Sequence, residues 1–137
     1  ILKRSVAERR LTGDAMRTAS DFFNAYHILL RDCKKERFIV VLLDQKHRPI
    51  RDEVVSEGSL TASLVHPREV FRPAVREAAA AVAFIHTHPS GDPTPSNEDR
   101  LLTRRLVETG KLMGIRVLDH IVIGESGFVS FQEEGLL

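Results

Sequence analysis

The chain has 137 residues, 42% of them hydrophobic, and a formal net charge of +1 from 20 Lys and Arg against 19 Asp and Glu. That is length enough for one domain with a real core, while every apolar run is of strand length, so no membrane span is expected. The near-neutral balance removes any global electrostatic case for DNA, and a lone cysteine, Cys33, forms no internal disulfide or thiolate zinc finger, which suits a reducing, cytoplasmic compartment.

In chain order, residues 1–12 read as a charged lead-in, too rich in charge for a secretory signal, and residues 1–17 as a linker or docking helix ahead of one domain over residues 18–137. Thr18 and Ser20 offer caps for a helix carrying Phe22, Phe23, Tyr26, Leu29 and Leu30. Residues 38–43, Phe-Ile-Val-Val-Leu-Leu, form a β-prone run; residues 44–49 read as a turn and 50–56 as its antiparallel return. Residues 58–64 can supply another strand. Pro67 opens a helix with Val70, Phe71, Ala74, Val75, Ala78 and Ala79 turned inward. Residues 81–85 read as a buried strand, residues 96–112 as a helix ending near Gly110 or Gly114, and 115–123 and 128–131 as closing strands. Hairpins mixed with crossover helices suggest a three-layer α/β sandwich around a curved mixed sheet.

The chemistry concentrates in His86-Thr-His88-Pro-Ser-Gly-Asp-Pro-Thr-Pro-Ser96-Asn-Glu-Asp99. Residues two apart on a strand share a face, so His86 and His88 can converge on one ion. Pro89, Gly91, Pro93 and Pro95 reverse the chain, and Ser96 with Asp99 opens a helix that returns a carboxylate to the strand end. Ser96 and Asp99 alone would be an ordinary capping pair, and two histidines alone would more often be polar residues at a strand end; together they read as a metal site. Two His and one Asp leave a tetrahedral ion one protein ligand short, the arrangement of catalytic zinc with water in the fourth place.

His86, His88, Pro89, Ser96 and Asp99 match the H-x-H-P…S-x-x-D zinc motif, and the chain thereby resembles the JAMM (MPN+) metalloproteases. Within them, the filling between His88 and Ser96, His66-Pro-Arg-Glu69 and Leu118-Asp-His-Ile-Val-Ile-Gly124 are similar to the bacterial RadC family. The likeness runs from about residue 35 to the C-terminus. Thr87 stands where that family usually has Asn, at a position pointing away from the metal face. The helix-hairpin-helix region that precedes this domain in full-length RadC proteins is not found, so a trimmed piece and a short relative are both open. The resemblance implies an α-β-α sandwich of JAMM/MPN, cytidine-deaminase-like type. It also implies one Zn²⁺ per chain on His86, His88 and Asp99, Glu36 as general base, and a Ser96 hydroxyl that helps stabilise an oxyanion.

Among the glutamates ahead of the metal strand, Glu36, Glu53, Glu57 and Glu69, the resemblance selects Glu36, with Glu57 at the end of the return strand as alternative. His120 after Asp119 reads as a hydrogen-bonded structural histidine more readily than as an orienting partner of a ligand. His66 reads as a helix-entry residue, and His27 and His47 as surface residues. Two functions follow. The first is a zinc hydrolase acting on peptide or isopeptide substrates; the second is a non-catalytic, DNA-repair-associated module that contacts nucleic acid, for which only the local basic face of Arg100, Arg104, Arg105 and Lys111 speaks. A metal-dependent nuclease fits poorly, because such enzymes favour carboxylate-rich or paired-metal sites. A homo-oligomer is left open.

Overall fold

The computed structural model describes residues 14–28, 34–58, 65–89 and 91–137. Residues 1–12 of the lead-in, Leu29, Leu30, Cys33 and nearly all of the strand expected over 58–64 lie outside the described residues. One mixed sheet has the order β2-β1-β3-β4-β5. Its strands are β1 (Arg37–Leu43), β2 (Pro49–Glu57), β3 (Ala81–Thr87), β4 (Arg116–Gly124) and β5 (Gly127–Ser130). β1 and β2 form the expected hairpin. Its turn is held by the Asp44 carboxylate, whose Oδ1 accepts from the backbone N–H of Lys46 at 2.8 Å and of Arg48 at 2.9 Å. β1 also pairs antiparallel with β3, and β3 runs parallel to β4. A parallel pair needs a crossover, and α3 (Asn97–Met113) supplies it.

The central strands are buried on both faces, which is why they read as continuous apolar runs rather than alternating ones. Ile39, Val41, Leu43, Ala83, Ile85, Ile121 and Ile123 pack with Phe22, Ala25 and Tyr26 of α1 (Ala19–Tyr26). On the opposite face Phe38, Val40, Leu42, Val82 and Phe84 meet Val70, Phe71 and Ala74 of α2 (Pro67–Arg76) and Leu102 and Leu106 of α3. The result is an α-β-α sandwich. Each fully buried Leu, Ile or Phe contributes roughly 1.5–3 kcal/mol, so these two clusters hold the strand ends where the polar residues sit. Among the described residues, no helix is long and apolar enough to cross a membrane.

Two expectations for α2 are corrected. The helix stops at Arg76, and Ala78 turns with φ 53° in an exposed position rather than continuing inward. Val75 is 58% exposed, because Val70, Phe71 and Ala74 already occupy the stripe that faces the sheet and the next residue falls off its edge. Both cap readings hold. Thr18 with Asp21 and Ser96 with Asp99 each form a reciprocal capping box, and Gly114, at φ 73° in the left-handed region that a side chain disfavours, ends α3.

Candidate metal centre

Because β1 and β3 are antiparallel, Arg37 lies opposite Thr87, and the start of β1 meets the end of β3. Glu36, the residue before β1, is thereby brought beside His86 and His88. β4 runs parallel to β3, so its end arrives at the same edge, where the His88 N–H donates to the Ile123 carbonyl at 2.8 Å. The loop from His88 to Ser96 folds back tightly: a Cβ on Gly124 would stand 2.3 Å from the Gly91 carbonyl oxygen. A side chain there would push the loop off the sheet.

That loop orients His88. The Asp92 carbonyl can only accept, so His88 Nδ1 carries the proton in their 2.9 Å contact. Nε2 is left facing carboxylates, 3.6 Å from Asp99 Oδ2 and 3.9 Å from Glu36 Oε1. Asp99 is aimed by its cap. Its Oδ2 accepts from the Ser96 N–H at 2.8 Å, while its own N–H donates to Ser96 Oγ at 3.0 Å. Asp99 Oδ1 then stands 3.0 Å from His86 Nδ1, with both side chains about fully buried at 1% and 2% exposure. Yet neither atom makes a hydrogen bond. Two buried polar atoms in near contact without bonding geometry are costly, and they have the character of ligands arranged around a third centre. Ligand atoms of a tetrahedral ion with bonds of about 2.0–2.1 Å lie about 3.3 Å apart; His86 Nδ1 stands 3.0 Å from Asp99 Oδ1, near that value, and His88 Nε2 3.6 Å from the other oxygen of the same carboxylate. A set of two imidazoles and a carboxylate suits zinc.

Glu36 also belongs to the cluster: one ligand atom each of Glu36, His86 and His88 lie within 4.8 Å of one another. Asp99 is nearer to both histidines than Glu36 is to His88, and Glu36 is the more exposed carboxylate, at 32% against 1%. The structure therefore gathers Glu36, His86, His88 and Asp99, with Ser96 at the rim. Glu57 sits opposite Arg37 but on β2, one strand further from β3, and is exposed. Glu53 is paired with Arg51 at 2.9 Å, and Glu69 on α2 lies near Arg68 and Arg72. Thr87 points to the other face, where its hydroxyl accepts from the Arg37 N–H at 3.0 Å.

The electrostatics follow from this crowding. Burial by itself raises the Asp99 carboxyl, but contact with His86 and His88 outweighs it and holds the group well below the usual carboxylate range. Contact with Asp99 raises His88 above the ordinary histidine value against the opposing effect of burial. Beneath them, burial pushes His120 down to about 3. Its Nδ1 lies 2.6 Å from the Thr103 hydroxyl on α3. Thr103 carried no signal in the sequence beyond its place one turn after Asp99. His66 is an exposed N-cap residue without a side-chain cap bond. His27 and His47 are half-buried rather than fully on the surface. The His27 ring lies stacked on Phe23 and donates to the Phe23 carbonyl, while His47 sits in the turn at φ 62°. Arg100, Arg104, Arg105 and Lys111 are exposed on α3.

The profile of the RadC-like JAB domain family matches residues 16–136. A UPF0758 protein of Syntrophotalea carbinolica is 58% identical over 125 residues, 91% of this chain and 55% of its own length. One of Geobacter sulfurreducens is 61% identical over 115 residues, 84% of this chain and 50% of its own. One of Methanosarcina barkeri is 53% identical over 117 residues, 85% of this chain and 51% of its own. The chain spans about half the length of these curated relatives.

Proposed function

The chain belongs to the RadC-like JAB domain family, and from that premise we propose that it is a zinc-dependent hydrolase of peptide or isopeptide bonds. The observation that carries the reading is the buried, unbonded approach of His86 Nδ1 to Asp99 Oδ1 at 3.0 Å, with His88 Nε2 3.6 Å from the same carboxylate. His86, His88 and Asp99 would hold the ion. When bound, it supplies Lewis-acid polarisation of a carbonyl and lowers the pKa of water.

The rest is the work of the chain's own residues. Glu36 takes a proton from the attacking water and returns it to the departing amine, a task that needs a carboxylate at the mouth of the site and not in its floor. Its partial exposure beside buried His86 and Asp99 supports that division of roles. Ser96 Oγ accepts from the Asp99 N–H, so its own proton is left to donate to a developing oxyanion, while the cap bond keeps the hydroxyl in place. Capping and catalysis are compatible in one residue. The Asp92 carbonyl and the Ser96 N–H fix the imidazole and carboxylate that would otherwise rotate. Elemental analysis of the purified chain tests the metal. About one zinc per chain is expected, and an Asp99→Ala variant that held zinc as tightly as its parent would remove Asp99 from the ligand set.

A further inference from the structure

We infer that His120 is a positioning residue for His86, accepting a hydrogen bond from the far nitrogen of that ring; the inference rests on the zinc reading above. It begins with proton counting. Thr103 Oγ1 donates its one proton to the Asp99 carbonyl at 2.7 Å, and a carbonyl can only accept. In the 2.6 Å contact with His120 the hydroxyl is therefore the acceptor, and His120 Nδ1 carries the hydrogen. A neutral ring protonated there has a bare lone pair on Nε2, and that atom is buried without a hydrogen-bond partner.

His86 has the opposite need. Its Nδ1 faces Asp99 and must be bare to act as a ligand, so the proton moves to Nε2, which is also buried without a partner. In the parallel pairing of β3 and β4, Phe84 registers with His120 and His86 with Val122, which sets the two histidines diagonally on one face. Their ring centroids are 6.1 Å apart with planes inclined by 32°. A donor lacking an acceptor thus adjoins an acceptor lacking a donor, and an approach of the two rings by about 1 Å, or one bridging water, joins them. Apolar rings hold His120 in place: Phe131 stacks on it at 4.4 Å, with Phe38 at 5.5 Å and Phe84 at 6.2 Å. The chain of bonds would reach both ligands, His86 through its ring and Asp99 through its carbonyl. Metal-binding histidines commonly give their second N–H to a carboxylate, carbonyl or water; here a second imidazole takes that place.

Side-chain ¹⁵N NMR of the zinc-free and zinc-loaded chain tests this, together with zinc affinity by chelator competition for the parent, His120→Asn and His120→Gln. The unmodified zinc-free chain should show His120 protonated on Nδ1, and the loaded chain His86 protonated on Nε2. Asn keeps a donor near Thr103 but offers nothing toward His86, so zinc affinity should fall about 10- to 100-fold, the usual range for the loss of such a partner. Gln reaches the Nε2 position with an amide oxygen and should restore most of that loss. A His120 protonated on Nε2 in the unmodified chain, or parental affinity in His120→Asn, would overturn the proposal. A parent that takes up no zinc refutes the metal reading instead, and the His120 tautomer in the zinc-free chain still decides the bond separately.

Discussion

On the α1 face of the sheet, the buried carboxylates Asp52 and Asp119 are held in closed hydrogen-bonded sets. Tyr26 donates its hydroxyl to Asp52 Oδ2 at 2.6 Å, both side chains essentially inaccessible, and Asp119 accepts from the Ser130 hydroxyl and from the N–H groups of His120 and Gln132. At the meeting of β3, β4 and the α3 N-terminus, the same degree of burial leaves polar atoms open. Of the six buried side-chain atoms without a partner among the described residues, four belong to His86, Asp99 and His120; the others are Arg37 Nε and Arg51 Nε. A fold that gathers most of its unmade buried polar contacts at one end of one strand pair departs there from the usual satisfaction of buried polar groups. The open set is where function is to be sought.

The sharpest way to break that contrast is Glu36→Gln. It preserves shape while removing the proton acceptor, so turnover on a cleaved peptide or isopeptide should fall by about two to four orders of magnitude with zinc content unchanged. If Glu57→Gln had that effect and Glu36→Gln did not, the base would move to β2. Next in size is Asp99→Asn, which keeps an oxygen for the Ser96 N–H but removes the charge at the ligand atom; zinc affinity by chelator competition should fall more than about 100-fold, beyond the loss expected for an outer partner. Parental affinity would make the open pair a structural accident. The same site carries a pH signature. With His88 raised above its ordinary value by Asp99, the stabilisation from that pair in the zinc-free chain is fully present below the ordinary histidine range and is lost as pH rises through the raised value. Protons and metal compete for His88, so zinc affinity should climb over that rise. A flat affinity profile from pH 5 to 8 would contradict it.

The closed pair should respond in stability alone. Tyr26→Phe removes the hydroxyl that donates to buried Asp52 and should cost about 1–3 kcal/mol in urea unfolding at pH 7 while zinc affinity stays parental. Burial, and then the Asp52 charge, hold the Tyr26 hydroxyl well above its usual pKa. The parent should therefore lose stability as pH rises beyond about 10, where the unfolded tyrosine ionises first, and the Phe variant should lose less. The smallest effect expected is on DNA. With a formal charge of +1 and, among the described residues, one basic helix face, binding should be weak and salt-dependent. A sub-micromolar Kd at physiological salt that survived neutralisation of Arg100, Arg104 and Arg105 would reopen the nucleic-acid reading.

What the sequence determined by itself was local: a buried run in β1, the two-residue repeat that sets His86 and His88 on one face, and Ser96 with Asp99 as a helix start. These are legible because strand alternation and capping depend on neighbours a few residues away. Capping and the approach to His86 use different oxygens of Asp99, since the cap bond from the Ser96 N–H to Oδ2 is what aims Oδ1 at His86. That Glu36 and not Glu57 stands beside the histidines follows from sheet order, because β1 and not β2 lies beside β3. Ala78 was lost to an early end of α2 that no periodicity announces. The partnership of Thr103 with His120 joins residues 17 apart, on α3 and β4, and no spacing rule connects a helix face to a strand it packs against. Proton placement along that contact follows from which groups can only accept, and the sequence does not say which groups will meet.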